Sequence, residues 1–334
     1  MSADAMTGWS VMGTGTIATE HMVNAIRAIG HHPLWVVSRR KRDAADFAED
    51  LEIPKCSTDL ARVLRDPAVG FSYVSARLAR RPHYISAAAG AGKHVLCDGP
   101  IAPTSKAAAA MVNACRNAGV LLAVNQPFRA SGVHQTMRRL IADGEVGQVL
   151  SVLVVRGGPH GLGFRRSEPP DESDKIFLGA SVDDIDLARF LTNAEPVEVN
   201  AVSSPPGDLP NLLAYTVRLD NGGILQVHES FRTADLESTV LVAGDRGALL
   251  ANGTLNARSS GTLVRRHAGR NELVPLRERD PYAFTAADFV SSRAQGSSWL
   301  ARGEDSVMAL TVAEALLLSS RKRRTVAITG ESAR

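Results

Sequence analysis

The stretch Gly13-Thr14-Gly15-Thr16-Ile17-Ala18 has the spacing of a turn that binds a phosphate anion. It follows a short apolar run and opens a helical pattern, which is the context that a dinucleotide-binding G-x-G-x-x-G/A motif requires. Gly13 permits the tight turn, Gly15 leaves room for a pyrophosphate, and Ala18 lets the helix pack closely on the strand. We therefore expect cofactor contacts from residues 13–17, although a glycine-rich turn without a ligand is the alternative.

The second candidate stretch, Ser38-Arg39-Arg40-Lys41, follows the next apolar run and has no acidic residue before Asp43. At this place an NAD site uses an acidic side chain to bind the ribose 2′-hydroxyl, whereas an NADP site uses an arginine near the 2′-phosphate. The stretch predicts NADP(H) rather than NAD(H), with contacts from Ser38, Arg39 and Arg40. The alternative is that these cations only form the solvated start of a helix.

Two carboxylates three residues apart, Asp183 and Asp186, lie on one face of a predicted helix over 183–192. Hydride transfer from an alcohol needs a group that takes the hydroxyl proton, with a pKa near the working pH. Like charges close together split the pKa values of two carboxyls, so the pair could supply that group and Asp183 could also contact the substrate. The alternative is that Asp183 caps the helix while Asp186 orients a neighbour.

A polar loop over 157–178 carries three further candidates, His160, Arg165 and Arg166. Histidine titrates near neutral pH, which makes His160 a candidate acid–base group. The two arginines are candidates for binding a carboxylate or phosphate of the substrate. A solvated loop is the alternative for all three.

These residues need a scaffold, and the first third of the chain alternates apolar runs with helical patterns. Such alternation predicts βαβ units and a parallel sheet, with ligands bound at the carboxyl ends of the strands. We expect those ends to add the cofactor contacts Ser75, His83, Asp98, Pro100 and Asn125.

After residue 126 the pattern changes to a long strand, a helix and hairpins with strong turn signals such as Asp220-Asn221-Gly222-Gly223. We predict a doubly wound parallel domain over 1–126 and an α+β domain with an open, mostly antiparallel sheet over 127–334. A C-terminal helix over 303–322 is expected to pack back toward the first domain.

Composition limits the classes of function. With 334 residues, 44% hydrophobic residues and a net charge of +3, the chain is typical of a globular protein with about two domains. The charge is too small to indicate nucleic acid, and no apolar run would span a bilayer. The three cysteines form no C-x-x-C pair, so we expect no metal site and a cytoplasmic location.

The chain resembles the Gfo/Idh/MocA family over nearly its whole length. The resemblance is carried by GTGTIA (13–18), AGKHVLCDGPIA (91–102), DGEVGQV (143–149), DDIDLARFL (183–191), VAGDRGALL (242–250) and RGEDSVMALTVAEALLLSS (302–320). It implies a Rossmann domain followed by an open-sheet domain. It also implies NAD(P)-dependent oxidation or reduction of sugars and polyols, and a homodimer or homotetramer assembled through the second sheet.

Two departures from the family pattern concern the chemistry. Where the family has a Glu-Lys-Pro triplet, this chain has Asp98-Gly99-Pro100, so the usual lysine ammonium is missing. Where many members have a histidine, this chain has Asp183. We expect an NADP(H)-dependent oxidoreductase with unusual acid–base residues, acting on a sugar-like or other small hydroxyl or carbonyl compound. A net non-redox reaction through a transiently used cofactor and a non-catalytic cofactor-binding protein are the alternatives.

Overall fold

The computed structural model describes residues 8–158, 175–207, 209–256, 260–297 and 299–328. These residues divide into two compact units. The first runs to Gln126 and includes 282–307, and the second comprises 127–281 and the chain from Met308 onward. No helix within the described residues is long and apolar enough to cross a membrane.

The first unit contains a six-stranded parallel sheet with the order β3-β2-β1-β4-β5-β6. Its strands are β1 (Gly8–Met12), β2 (His32–Val37), β3 (Lys55–Ser57), β4 (Val69–Val74), β5 (His94–Asp98) and β6 (Leu122–Asn125). Its helices are α1 (Val23–Ala28), α2 (Lys41–Asp50), α3 (Leu60–Leu64), α4 (Arg81–Gly90) and α5 (Ser105–Asn117). The order reverses between β1 and β4, which is the switch point where doubly wound sheets bind dinucleotides. The predicted Rossmann fold is confirmed.

The second unit contains a nine-stranded sheet with the order β14-β13-β12-β11-β7-β10-β9-β8-β15. Its strands are β7 (Val149–Gly157), β8 (Pro196–Ser204), β9 (Leu212–Leu219), β10 (Ile224–Ser230), β11 (Thr239–Gly244), β12 (Gly247–Asn252), β13 (Thr262–His267), β14 (Arg270–Leu273) and β15 (Val326–Ala327). The helices α6 (Pro127–Ala130), α7 (Gly132–Ala142) and α8 (Ala180–Thr192) belong to the same unit. Only the β7–β10 pair is parallel among the described strands of this sheet, so the predicted open, mostly antiparallel sheet is confirmed.

The C-terminal helices α9 (Pro281–Gln295) and α10 (Gly303–Lys322) explain why the division differs from the predicted boundary. Phe289 of α9 packs against Trp9 and Phe71 in the core of the first unit. The first turn of α10 also belongs to that unit, because Ser306 Oγ accepts the backbone N–H of Ile101 at 3.3 Å. The predicted second domain, 127–334, is therefore interrupted by residues 282–307.

Candidate functional site

The turn after β1 is built for a close approach of backbone to backbone. Gly13 has φ +100°, and a Cβ there would lie 2.7 Å from the Cα and the N of Ala76. A Cβ on Gly15 would lie 2.7 Å from the carbonyl oxygen of Ser75 and 2.8 Å from its Oγ. Only glycine fits either position, and the turn it forms rests on the end of β4, at the switch point of the sheet.

The helix that follows this turn starts without a side-chain cap. Its first segment, Ala18–Met22, is π-helical, and the N-cap residue Ile17 makes no side-chain capping hydrogen bond. Thr14, Thr16 and Ile17 are half-buried beside it. The free N–H groups of such a helix start attract an anion, so the residues present fit the pyrophosphate of a dinucleotide.

The end of β2 presents one unengaged arginine. Ser38 is buried there, while Arg39 and Arg40 are exposed. Arg40 donates from Nε to Asp43 Oδ2 at 2.7 Å, which neutralises the first acidic residue after the strand. Arg39 has no ion pair within the part of the chain that the structure describes. A single guanidinium is thus left to meet a ligand at this strand end.

Asp98, at the end of β5, joins the carboxyl ends of three strands. Its Oδ1 accepts hydrogen bonds from Tyr73 Oη at 2.5 Å and Asn125 Nδ2 at 3.0 Å, and its Oδ2 accepts from Ser75 Oγ at 2.7 Å. Burial, followed by the charge of Asp98, raises the pKa of Tyr73 well above its ordinary value, so the phenol remains a donor. The predicted residues Ser75, Asp98 and Asn125 therefore meet in one network, in which Asp98 is a structural acceptor.

Arg81 fixes the turn at residues 98–100. Its Nε donates to the carbonyl of Ala76 at 2.9 Å, and its Nη1 donates to the carbonyls of Asp98 and Pro100 at 3.0 and 2.7 Å. The Gly99–Pro100 peptide bond is cis. A buried guanidinium with several donors suits a cluster of carbonyls, and it ties the ends of β4 and β5 together.

His83 lies apart from this network. It is exposed on the first turn of α4, and its ring lies edge-on to Tyr84 with the ring centroids 5.4 Å apart. Within the described residues, no hydrogen bond or ion pair links it to the strand ends that carry the other predicted cofactor residues, so its binding role stays a prediction.

In the second unit, one member of the predicted carboxylate pair on α8 is bound by an arginine. Asp186 is buried and binds Arg129 bidentately, with Nε at 2.7 Å and Nη2 at 2.6 Å. This ion pair is what the alternative interpretation expects, in which Asp186 orients a neighbour, and the acid–base role of the pair stays a prediction. Asp183 is half-buried on the first turn and does not cap the helix, because Gly179 is the N-cap residue.

A buried cluster lies beneath α8, next to these aspartates in the sequence. Arg156 of β7 donates to Asp184, and the two side chains are 2% and 0% exposed. Glu229 of β10 accepts from Ser181 Oγ at 2.7 Å and from Tyr215 Oη at 2.9 Å. Burial, followed by the charge of Asp184, raises the pKa of Glu229 well above its ordinary value.

Several of these residues were missed by reading the sequence. Arg156 and Glu229 continue the inward faces of their strands, after Val152 and Val154 in β7 and after Leu225 and Val227 in β10. A charged residue on an otherwise apolar face indicates a buried partner. Tyr73 and Arg81 gave no such signal. His160, Arg165 and Arg166 lie outside the described residues. Within those residues, no group of three His, Cys, Asp or Glu could hold a metal ion.

Comparison with known proteins identifies both halves of the chain. Residues 7–126 match the family described as "Oxidoreductase family, NAD-binding Rossmann fold", and residues 134–250 match the "GFO/IDH/MocA C-terminal domain". A 1,5-anhydro-D-fructose reductase of Ensifer adhaerens is 32% identical over 319 residues, covering 93% of this chain and 96% of the relative. A D-xylose 1-dehydrogenase (NADP(+)) of Haloferax volcanii is 24% identical over 322 residues, covering 93% of this chain and 97% of the relative.

A solved structure supports the fold over the same length. The aldose-aldose oxidoreductase from Caulobacter crescentus, complexed with glycerol, superimposes with a TM-score of 0.85 at 22% identity. The match covers 96% of this chain and 99% of that one. At this level of identity, the comparison shows that the two chains share a fold.

Proposed function

Because the chain belongs to the GFO/IDH/MocA family of sugar and polyol oxidoreductases, we propose that it uses NADP(H) to oxidise or reduce a sugar-like hydroxyl or carbonyl compound. The cofactor supplies or accepts the hydride, and the chain supplies the binding surfaces and the proton. The observation that carries the choice of NADP(H) is the guanidinium of Arg39 at the end of β2.

Charge around the strand end favours a 2′-phosphate. The first acidic residue, Asp43, is already paired with Arg40, and within the described residues no carboxylate forms an ion pair with Arg39. Guanidinium groups bind phosphate oxygens bidentately, which lysine does not do. The name of the Haloferax volcanii relative, which includes NADP(+), agrees with this choice.

The test compares two nearby arginines. Hydrogen bonds to charged groups contribute about 1.5–3 kcal/mol, so Arg39→Ala should weaken NADPH binding about 10- to 150-fold. It should leave NADH binding unchanged. Arg42→Ala is the matched control, because Arg42 pairs with Asp46 further along the helix, and it should change NADPH affinity less than about threefold. Calorimetry measures all four affinities. Equal effects of the two substitutions, or tighter NADH than NADPH binding by the wild type, would contradict the choice of NADP(H).

For the substrate, we propose a carbonyl of a sugar or anhydro sugar. The support is the reductase of Ensifer adhaerens, named for 1,5-anhydro-D-fructose, which aligns with nearly the whole chain. NADPH consumption with 1,5-anhydro-D-fructose is the first assay, and aldoses and polyols with NADP follow. Product formed without a net change in the absorbance of the reduced nicotinamide would favour the second candidate, a net non-redox reaction. That candidate is motivated by the missing ammonium at position 99.

For proton transfer, we propose Asp183. It is half-buried on the first turn of α8, whereas the neighbouring Asp184 and Asp186 are buried. General acid–base catalysis contributes about 10²–10⁴-fold. Asp183→Asn should lower kcat by that order and leave NADPH affinity unchanged. Unchanged turnover in this variant would favour His160 as the proton-transfer group.

For assembly, we propose a homodimer or homotetramer that covers the open face of the second sheet. Four apolar residues on adjacent strands form one row on that face and are only partly buried in the single chain: Val264, Leu250, Leu241 and Leu153. The row continues into the polar residues Gln226, Thr216 and Asn200. Leu241→Glu should dissociate the oligomer in light scattering, whereas Asn200→Lys should not. A wild-type monomer at micromolar concentration would contradict the proposal.

A further inference from the structure

The place beside residue 99 is taken by the side chain of Gln126. A Cβ at Gly99 would lie 3.0 Å from Gln126 Nε2, 3.5 Å from its Cδ and 3.3 Å from Val124 Cγ1. Gln126 directly follows β6, which is hydrogen-bonded to β5. The amide therefore stands where a side chain of residue 99 would begin, at the carboxyl ends of these two strands.

The side-chain amide of Gln126 is buried, yet none of the described residues hydrogen-bonds it. Gln126 is 5% exposed, and its amide makes no hydrogen bond within the described residues. The neighbouring Asn125, by contrast, donates a hydrogen bond from Nδ2 to Asp98. A primary amide offers two donors and one acceptor, and groups this enclosed are normally satisfied. Neither amide atom of Gln126 is among the fully inaccessible unpaired atoms, so both keep some accessible surface.

The strand order indicates which part of a dinucleotide would lie here. A doubly wound sheet consists of two mononucleotide-binding halves on either side of the switch point, and the adenosine ribose is read at the end of the second strand. The half formed by β4, β5 and β6 therefore faces the other mononucleotide, which carries the nicotinamide. The ring bears a carboxamide whose donors and acceptor complement those of a glutamine amide.

We propose that Gln126 binds the nicotinamide carboxamide of the cofactor. We also propose that residue 99 is a glycine because a larger side chain would occupy the space of the Gln126 amide. The inference rests on the proposed use of NADP(H). It makes Gln126 a cofactor-binding residue that fixes the ring at the strand ends. A neutral amide in this place can donate and accept hydrogen bonds, but it cannot exchange a proton near neutral pH as an ammonium would.

The test uses two ligands that differ only in the nicotinamide, NADPH and 2′-phospho-ADP-ribose. Gln126→Met keeps the length of the side chain and removes its hydrogen bonds. It should weaken NADPH binding about 5- to 10-fold, the order expected for one or two net hydrogen bonds, and leave 2′-phospho-ADP-ribose within about twofold. Arg39→Ala is the control at the other end of the cofactor and should weaken both ligands.

A second variant addresses the glycine. Gly99→Ala places a methyl group 3.0 Å from Gln126 Nε2, so the amide must move by a few tenths of an ångström. NADPH affinity should fall in the same direction as in Gln126→Met, and Gly99→Ala in the Gln126→Met background should add little. Unchanged NADPH affinity in Gln126→Met, or equal weakening of both ligands, overturns the inference. Failure of the wild type to bind either ligand overturns the proposed function itself.

Discussion

Glu229→Gln tests the protonation of the buried cluster in the second unit. The cluster contains one guanidinium, that of Arg156, and two buried carboxyls, those of Asp184 and Glu229. Arg156 forms its ion pair with Asp184. Glu229 accepts from the neutral hydroxyls of Ser181 and Tyr215, and its carboxyl also hydrogen-bonds Asp184. Because burial and the Asp184 charge raise the pKa of Glu229, we expect Glu229 to hold a proton in the native protein near neutral pH.

The magnitudes follow from that assignment. Glutamine has the shape of a protonated glutamate, so Glu229→Gln should change the free energy of unfolding by less than about 1 kcal/mol at pH 7. Asp184→Asn removes the only charge that faces Arg156 within the cluster. Breaking a buried pair from one side costs about 3–5 kcal/mol, so this variant should be far less stable.

The sign of the pH dependence gives a second readout. The pKa of Glu229 is higher in the folded than in the unfolded chain, so its contribution to stability is complete below the unfolded value of about 4.3 and is lost as pH rises toward the folded value. The slope cannot exceed about 1.4 kcal/mol per pH unit for one proton. Glu229→Gln should remove this slope.

Urea unfolding from about pH 6.5 to 8 provides the assay, because the unfolded histidines are mostly neutral there. We expect wild-type stability to fall with pH relative to Glu229→Gln. A loss of several kcal/mol in Glu229→Gln at pH 7, with Asp184→Asn well tolerated, would refute the reasoning and assign the proton to Asp184.

Three further predictions concern other residues. Burial lowers the pKa of His134 to about 4, so stability should be lost as pH falls from about 6.5 toward 4, by about 2 kcal/mol at pH 5. His134→Asn should remove this pH dependence in urea titrations, and the same loss of stability at acidic pH in the variant would contradict the prediction. Asp186→Asn should cost about 3–5 kcal/mol in the same chemical unfolding experiment, because it removes the buried carboxylate that Arg129 binds bidentately, and an unchanged stability would contradict this. Gly15→Ala should abolish NADPH binding in calorimetry, because its Cβ meets Ser75 at 2.7 Å, and a variant that binds normally would exclude this turn from the cofactor site.

The first sheet could be predicted well from the sequence because each of its strands and crossover helices has a recognisable local pattern. Each strand is a short apolar run, each crossover has helical periodicity, and the turn glycines Gly13 and Gly15 are recognisable by spacing. The inclusion of 282–307 in the first unit was missed. It depends on the packing of Phe289 against Trp9 and Phe71, far apart in the chain, and no local period encodes such a contact.

The candidate site was predicted only in part for a related reason. Spacing on a helix shows that Asp183 and Asp186 share a face, but it does not show what that face meets. Arg129, 57 residues before Asp186, decides the outcome by forming a buried bidentate pair. The amide of Gln126 was missed similarly, because its position has meaning only relative to Gly99 on the neighbouring strand.

These contacts narrow the choice of proton-transfer group by elimination. Asp98 is enclosed by three donors, and Asp186 and Asp184 are each bound by a buried arginine. Glu229 is fully buried. A carboxyl that exchanges protons with a substrate needs access to that substrate. Among these five acids, Asp183 is the one that is only partly buried, which supports its proposed role in proton transfer. If that reasoning is right, Gly99→Lys alone should bring little or no gain in polyol oxidation, because the added ammonium would displace Gln126 without restoring the rest of the site.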